Sequence, residues 1–570
     1  MSADEAGCLF DNTFDILRII ILSAEDDHVL DAAADEEFSV VEEAHVAGAE
    51  IAIVIGAIVS EARMKLLHGE LGVIPVAQAL AVSGDPNFAY ASGRQGVMHE
   101  IKELLKDKGA ELLARQVDIG VIQRVSVAEL FQLAEQLERA PQEALEMLRH
   151  SLAAFRDEQR AAEKQMMGDD RKLVFEPPVP APLPETPVME QVLLTGGTGF
   201  IGPFLMKSLL EQTQAKIYVL VRASSEEQGR QRLTAAMESM GPCPAGLMKT
   251  FESRVIPLCG DLGQPNLGLS QEVWEFLTNQ MDTVFHNGAT VNYLFNYDRM
   301  RDANVMGTNE VLRLAFEGRP KEFNYISTTF VFGWAVKSVL WETDFNENME
   351  LLDFGYSQTK WVAEQVVADA RSKGLSTRIF RPALVSPSVT GGGNNFDIAV
   401  RLVAFMVNHG IGVDALNQVS FVPADVMANN IVSICAATGT ANKTYHVVRD
   451  DYANMLDITE LITKSTGRQF EVFNVTDFVP ELIRRCRKED LLFPLLDFLV
   501  GSVDNITAME FKRYDNTSYQ AARDASEWGK PDPSLEDTVN GILKFMHRKG
   551  IISVAPREVI DPVIDPVIAL

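Results

Sequence analysis

Apolar residues fall along this chain in two rhythms. From residue 191 onward, short apolar runs recur at 191–195, 216–221, 255–258, 282–286, 323–327, 376–381 and 444–448. Each has the length and the Val, Ile, Leu and Phe content of a buried strand. Between most of them the apolar positions are spaced three and four apart, the pattern of an amphipathic helix. Pro203 to Gln212 puts Phe204, Leu205, Leu209 and Leu210 on one face, and Tyr356 to Ala370 reads as a longer helix. Strands alternating with helices predict an α/β fold, a doubly wound parallel sheet with right-handed crossovers. Beyond about 470 the rhythm changes to short, mostly helical segments. Phe478 to Val500 is rich in Leu and Phe, interrupted by Arg484, Arg485, Arg487 and Lys488.

Upstream the pattern differs. Phe14 to Leu22 and Ile51 to Val59 read as buried strands. Glu100 to Lys108, Ala128 to Leu137 and Pro141 to Met166 read as helices. Residues 1–168 are therefore expected to form a separate α/β N-terminal domain, with no glycine-rich phosphate loop after its first strand. Residues 169–190 read as a linker. Pro177, Pro178, Pro180, Pro182, Pro184 and Pro187 deny it helix and sheet and favour an extended spacer. Residues 191–550 form the main domain, with a smaller C-terminal portion from about 390. The repeat Val559-Ile-Asp-Pro-Val-Ile-Asp-Pro falls in a tail, 551–570, that is expected to be loose.

Bulk composition narrows the function classes. The 570 residues are 46% hydrophobic and 23% charged, as in ordinary globular domains. A net charge of −29 argues against a nucleic-acid partner. Residues 1–50 hold 14 acidic side chains against Arg18 alone, a run read as a solvated surface. Cys8, Cys243, Cys259, Cys435 and Cys486 are scattered. With no CxxC or Cys/His cluster, neither a disulfide framework nor a zinc site is suggested, and a reducing cytoplasm fits. The longest apolar run, Ile51 to Val59, is too short to cross a bilayer, and the N-terminus lacks the order of a signal peptide.

The candidate chemistry begins at Gln191-Val-Leu-Leu-Thr-Gly-Gly-Thr-Gly-Phe-Ile-Gly202. A strand runs into Gly196, Gly199 and Gly202 and then into a helix. The first glycine permits a tight turn, the second close approach to a pyrophosphate, and the third close packing of helix on strand. The helix start adds free N–H groups for phosphates. Tyr356-Ser-Gln-Thr-Lys360 places a phenol and an ammonium on one helix face. A lysine there is expected to lower the tyrosine pKa and make it a proton donor at neutral pH. Tyr325-Ile-Ser-Thr-Thr-Phe-Val-Phe-Gly333 sets hydroxyls just past a strand end, where parallel sheets bind ligands. The second strand ends Val219-Leu-Val-Arg222, with no acid for a ribose 2′-hydroxyl. Arg222 suits a 2′-phosphate instead, so the expected cofactor is NADPH.

With Tyr218-Val-Leu-Val-Arg-Ala223, Arg232-Leu, Gly260-Asp-Leu262, His286-Asn-Gly-Ala289, Asn304-Val-Met-Gly-Thr308, Ser327-Thr-Thr329 and Arg381-Pro382, the chain from about 190 to 550 resembles an extended short-chain dehydrogenase/reductase. More narrowly it resembles the thioester reductase domains of non-ribosomal peptide synthetases and carboxylic acid reductases, with fatty acyl-CoA reductases as wider relatives. The resemblance implies a Rossmann-type domain with a substrate-binding C-terminal portion. It implies that Gly196, Thr198, Gly199, Phe200, Ile201 and Gly202 lie under the pyrophosphate, and that Arg222 and Arg232 serve the cofactor. Asp261 and Leu262 would flank the adenine, Gly288 and Ala289 the adenosine ribose and pyrophosphate, and Pro382 the nicotinamide. Thr328, Tyr356 and Lys360 would form the catalytic triad, with Lys360 on the nicotinamide ribose. No metal is implied. Two departures stand out: neither an adenylation domain nor a carrier-protein serine motif precedes the reductase, and the first 165 residues match no family partner. Tyr90-Ala-Ser-Gly-Arg94 resembles the Tyr–Lys signature with Arg in place of Lys, so the first unit reads as a decayed dehydrogenase or an unrelated accessory domain.

The expected activity is NADPH-dependent reduction of an acyl thioester, on coenzyme A or a carrier protein, to the aldehyde, with the alcohol as a further step. Two rivals stand beside it. One is an extended dehydrogenase or epimerase for a nucleotide sugar or small carbonyl compound; the apolar 478–500 segment suits an acyl chain better. The other is a non-catalytic dinucleotide sensor or scaffold, which the intact Thr328, Tyr356 and Lys360 set opposes.

Overall fold

The structure is a computed structural model of the chain and describes residues 160–556, apart from positions 185, 242, 294, 336, 353, 395, 396, 416 and 509–511. The expected elements before residue 160, the Tyr90–Arg94 pair and the tail from 557 lie outside the described residues. The chain divides after Ala162, and Glu163 onward forms one unit.

The seven expected strands all form, each within a residue of the expected bounds. They are β1 (Gln191–Thr195), β2 (Lys216–Val221), β3 (Val255–Cys259), β4 (Thr283–His286), β5 (Glu322–Ile326), β6 (Thr377–Pro382) and β7 (Thr444–Val447). They make one sheet in the order β3-β2-β1-β4-β5-β6-β7, with every pair parallel. The order reverses between β1 and β4, so a crevice opens at their carboxyl ends. The strands alternate between two cores because their side chains do. Val192 and Leu194 face a layer with Phe204 and Leu209 of α1 (Gly202–Gln212) and Leu233 of α2 (Glu226–Ser239). Leu193 faces the other layer, with Trp274 of α3 (Gln271–Gln280), Leu312 of α4 (Gly307–Phe316) and Trp361 of α5 (Gly355–Ser372). Side-chain caps start two of these helices: Ser225 accepts from Gln228 N and Ser270 from Val273 N.

Three expectations need correction. The region beyond 470 is not uniformly short-helical: Glu471–Asn474 is a strand paired with Ile411–Asp414, and Leu535–Arg548 is a full helix. The apolar segment 478–500, read as suiting an acyl chain, is in part taken up by a core of its own. Phe478, Leu482, Leu492 and Leu496 are buried in a local core with Phe405 and Met406 of α6 (Ile398–His409). The segment from 169 has neither helix nor strand after its first residue, as its prolines demand, but its first half is fastened down. The helix before it ends at 169. Asp170 then takes hydrogen bonds from Arg301 Nε (2.6 Å), Arg301 Nη2 (2.8 Å) and the Tyr297 hydroxyl (2.8 Å). Leu173 N–H donates to Asp369 Oδ2 and Val174 N–H to Asn309 Oδ1, both at 3.1 Å.

Candidate active site

The crevice is lined by the turns that leave the strands. After β1, Gly196 takes φ of +71°, and a Cβ there would sit 2.7 Å from Gly288 Cα. A Cβ on Gly202 would lie 2.2 Å from the Gly196 carbonyl oxygen, so only glycine lets α1 start there. Gly199 differs: it is exposed, and its nearest neighbour would be 3.4 Å away. A closed turn with one open face is the shape a pyrophosphate needs, and the residues fit one. α1 begins with no side-chain cap on Ile201 and Pro203 in its first turn, which leaves its first amides free for an anion. Thr198 and Phe200 flank this turn, and Phe200 packs edge-on to Phe204 and against Gly393.

The other strand ends converge here. Arg222 stands exposed just past β2, and Arg232 of α2 donates from Nη1 to its carbonyl at 3.0 Å. After β3, Asp261 Oδ1 accepts from Gly263 N at 2.9 Å, while Leu262 lies against Gly288. After β4, a polar chain ties the turn together. Gly288 N–H donates to Thr195 Oγ1 (2.9 Å), and Thr195 donates to His286 Nδ1 (2.7 Å). His286 Nε2 donates to Thr308 Oγ1 (2.9 Å), which donates to the Asn304 carbonyl (2.6 Å). Burial, and secondarily the Lys360 charge, push His286 down to about 3, so it stays neutral and both its nitrogens are matched. Ala289 follows Gly288, and Pro382 closes β6 on the far side.

The three catalytic candidates meet at the ends of β5 and α5. Thr328 is buried just past β5, and its oxygen accepts from Phe330 N at 3.2 Å. It also acts on the Tyr356 phenol, favouring its ionised form slightly. Lys360 is buried; Nζ donates to the Ile326 carbonyl at 2.7 Å and rests 4.1 Å from the centre of the Tyr325 ring. The expected lowering of the Tyr356 pKa is not found. Burial raises it, and the Asp397 carboxylate raises it further, against a smaller opposite effect of Thr328. Lys360 itself is brought down to about 7 by burial, opposed by Glu364. An aromatic wall surrounds Tyr356: Tyr293, Phe330 and Phe354 pack on it at centroid distances of 6.3, 6.4 and 6.5 Å. Tyr293 donates to Asp397 Oδ1 at 2.9 Å, next to the start of α6.

Comparison with known proteins finds likenesses at this site and fold. Residues 194–431 match a family profile described as male sterility protein, of nicotinamide-dinucleotide-binding type. The terminal R domain of the myxalamid PKS-NRPS biosynthetic pathway superposes with a TM-score of 0.62 at 29% identity, over 68% of this chain and 99% of that one. The chain is thus similar to the reductase domains of peptide-synthetase and polyketide pathways. A linear gramicidin synthase of Brevibacillus parabrevis is 36% identical over 50% of this chain and 6% of its own length. The L-2-aminoadipate reductase of Penicillium chrysogenum is 33% identical over 42% of this chain and 18% of its own. The chain thus spans less than a fifth of these two curated relatives.

Several residues around the candidate site escaped the sequence reading. Tyr293 and Asp397 meet across 104 positions, and no local pattern announces such a pair. Asn304 sits in a π-helical turn, Asp302–Met306, and its side chain bonds Thr290 and Thr359. Such turns gather at functional sites but leave no mark in apolar spacing. Glu364 could have been found, since it continues the four-residue spacing of Tyr356 and Lys360. Among the described residues no cluster could hold a metal ion, and no helix is long and apolar enough to cross a membrane.

Proposed function

We propose that the unit from Glu163 onward is an NADPH-dependent reductase that releases an acyl thioester as an aldehyde. The observation that carries this reading is the convergence of Thr328, Tyr356 and Lys360 at the carboxyl ends of the sheet, beside the open glycine turn. A reduced nicotinamide dinucleotide, when bound, supplies the hydride. The chain does the rest. The glycine turn and the uncapped start of α1 hold the pyrophosphate, and Arg222 with Arg232 favours the 2′-phosphate of NADPH over NADH. Lys360 anchors the nicotinamide ribose. Thr328 and Tyr356 donate to the thioester carbonyl as negative charge grows on its oxygen, and Tyr356, which burial keeps protonated, hands over its proton. The hemithioacetal then breaks its C–S bond to give thiol and aldehyde. The aromatic wall of Tyr293, Phe330 and Phe354 excludes water from the carbonyl.

The thioester is carried by coenzyme A or by a carrier protein; the peptide-synthetase relatives favour the carrier. Residues 1–168 act as an accessory domain in assembly or docking, without hydride chemistry of their own. Free thiols at Cys243, Cys259, Cys435 and Cys486 suit action in a reducing cytoplasm. The test is to incubate purified protein with NADPH and a panel of acyl-CoA and acyl-carrier thioesters while following loss of reduced cofactor. Turnover with thioesters supports the reading. Turnover confined to nucleotide sugars or small ketones overturns it.

A further inference from the structure

Glu364 lies one turn beyond Lys360 and two turns beyond Tyr356, so α5 presents all three on one face. It is 2% exposed, and nothing in the mechanism above uses it. Its carboxylate is held from two sides. Arg381 of β6, the neighbour of Pro382, donates from Nε at 3.0 and 3.2 Å and closes a fork with Nη2. From the other side Ser327 Oγ donates to Oε2 at 2.5 Å. Arg381 is itself fixed. Its Nη1 donates to the Asp344 carbonyl (2.9 Å) and to His446 Nε2 (3.1 Å), and His446 Nδ1 donates to the Asp515 carbonyl (2.8 Å). A buried ion pair adds little net stability over an apolar pair of the same size. What it does supply is a fixed charge in a fixed direction.

Two catalytic candidates stand where that charge and direction act. Ser327 directly precedes Thr328, and its backbone N–H is already tied to the Phe380 carbonyl at 2.7 Å. Pinning its side chain as well removes the remaining freedom at the strand end that aims the Thr328 hydroxyl. Lys360 meets the Ile326 carbonyl and the Tyr325 ring of β5 and acts on neutral His286 of β4. Glu364 is the carboxylate acting on it among the described residues, with the Arg381 charge beyond. We propose that Glu364 is a positioning residue of the active site: through Ser327 it aims Thr328, and through its charge it keeps the Lys360 ammonium protonated. Burial drives Lys360 down to about 7 and Glu364 opposes that, so loss of the carboxylate leaves a neutral amine at lower pH.

This rests on the proposed roles of Lys360 and Thr328, and its test has one arm that needs no substrate. In the full-length protein, NADPH affinity is measured by nicotinamide fluorescence across pH for wild type, Glu364→Gln and Ser327→Ala. Titration of the cofactor's own phosphate is common to all three and cancels in the comparison. In Glu364→Gln the decline of affinity with rising pH should begin at lower pH than in wild type. In Ser327→Ala it should coincide with wild type. In the second arm, Ser327→Ala should lower kcat on a thioester by about tenfold with KM for NADPH unchanged, since small misplacements of a reacting group cost that much or more. A Glu364→Gln profile that overlays wild type, or a wild-type kcat in Ser327→Ala, overturns the proposal. Ser327→Ala removes no buried charge and keeps the test alive if Glu364→Gln fails to fold. Thioester turnover absent from wild type itself would sink the proposed function instead, and the binding arm would still judge Glu364.

Discussion

Asp170→Ala asks whether the segment before β1 is a spacer or part of the folded unit. The carboxylate is 7% exposed and its partner Arg301 29% exposed. Alanine removes three hydrogen bonds, leaves the Tyr297 hydroxyl without its acceptor, and leaves a guanidinium whose remaining ion-pair partner among the described residues is Asp302, 3.9 Å away. Breaking a fully buried pair costs about 3–5 kcal/mol. Because Arg301 reaches water, the cost here is discounted to about 2–4 kcal/mol. For a unit of this size that should lower Tm by roughly 2–5 °C. The loss should also reach the site, because Arg301 immediately precedes the π-helical turn that carries Asn304. The assay is thermal unfolding of the 160–570 fragment and its Asp170→Ala variant, beside a fragment starting at 185 that also lacks buried Met167 and Leu173. Both altered proteins should melt lower than the 160–570 fragment, the truncated one more so. Equal Tm values in all three would refute the reasoning and restore the spacer.

Tyr356→Phe removes the proposed proton donor and should lower turnover by about 10²–10⁴-fold with little change in NADPH affinity, measured by steady-state kinetics and cofactor titration. Arg222→Ala should weaken NADPH binding by roughly 1.5–3 kcal/mol and hardly change NADH binding; equal losses for both would remove Arg222 from the 2′-phosphate. Lys360 titrates at about 7 in the folded protein and near 10.4 when unfolded, so between these values the unfolded chain binds the extra proton. Its contribution to stability therefore rises with pH across that window. Lys360→Met should have its largest stability advantage over wild type at or below pH 7 and lose it toward pH 10, as read from denaturant midpoints.

What the sequence revealed was what short-range order encodes. Seven apolar runs are legible because a strand buried on both faces must be apolar throughout, as 192–194 are. The glycine turn is legible because its spacing answers to contacts within a dozen residues. Tyr356 and Lys360 are legible because helical periodicity puts them together, and the same spacing extends to Glu364. What escaped is long-range. Asp170 reaches Arg301 across 131 positions, and a carboxylate at the edge of a proline-rich stretch looks like any solvated acid. The 478–500 segment has an apolar pattern that fits either an acyl pocket or a core, and only its packing on α6 separates the two. The direction of the Tyr356 shift depended on burial and on Asp397, neither of which lies near it in sequence.

The central claim is that this chain breaks a thioester by reduction. A single-turnover experiment addresses it directly: full-length protein in excess over a carrier-bound acyl thioester, with NADPH, quenched and assayed for free thiol, aldehyde and oxidised cofactor. The account predicts one thiol released for each aldehyde and each NADPH oxidised in the first reduction, and none of the three in Tyr356→Phe on the same timescale. Cofactor bound tightly with the thioester left intact, or thiol released without NADPH oxidation, would contradict it.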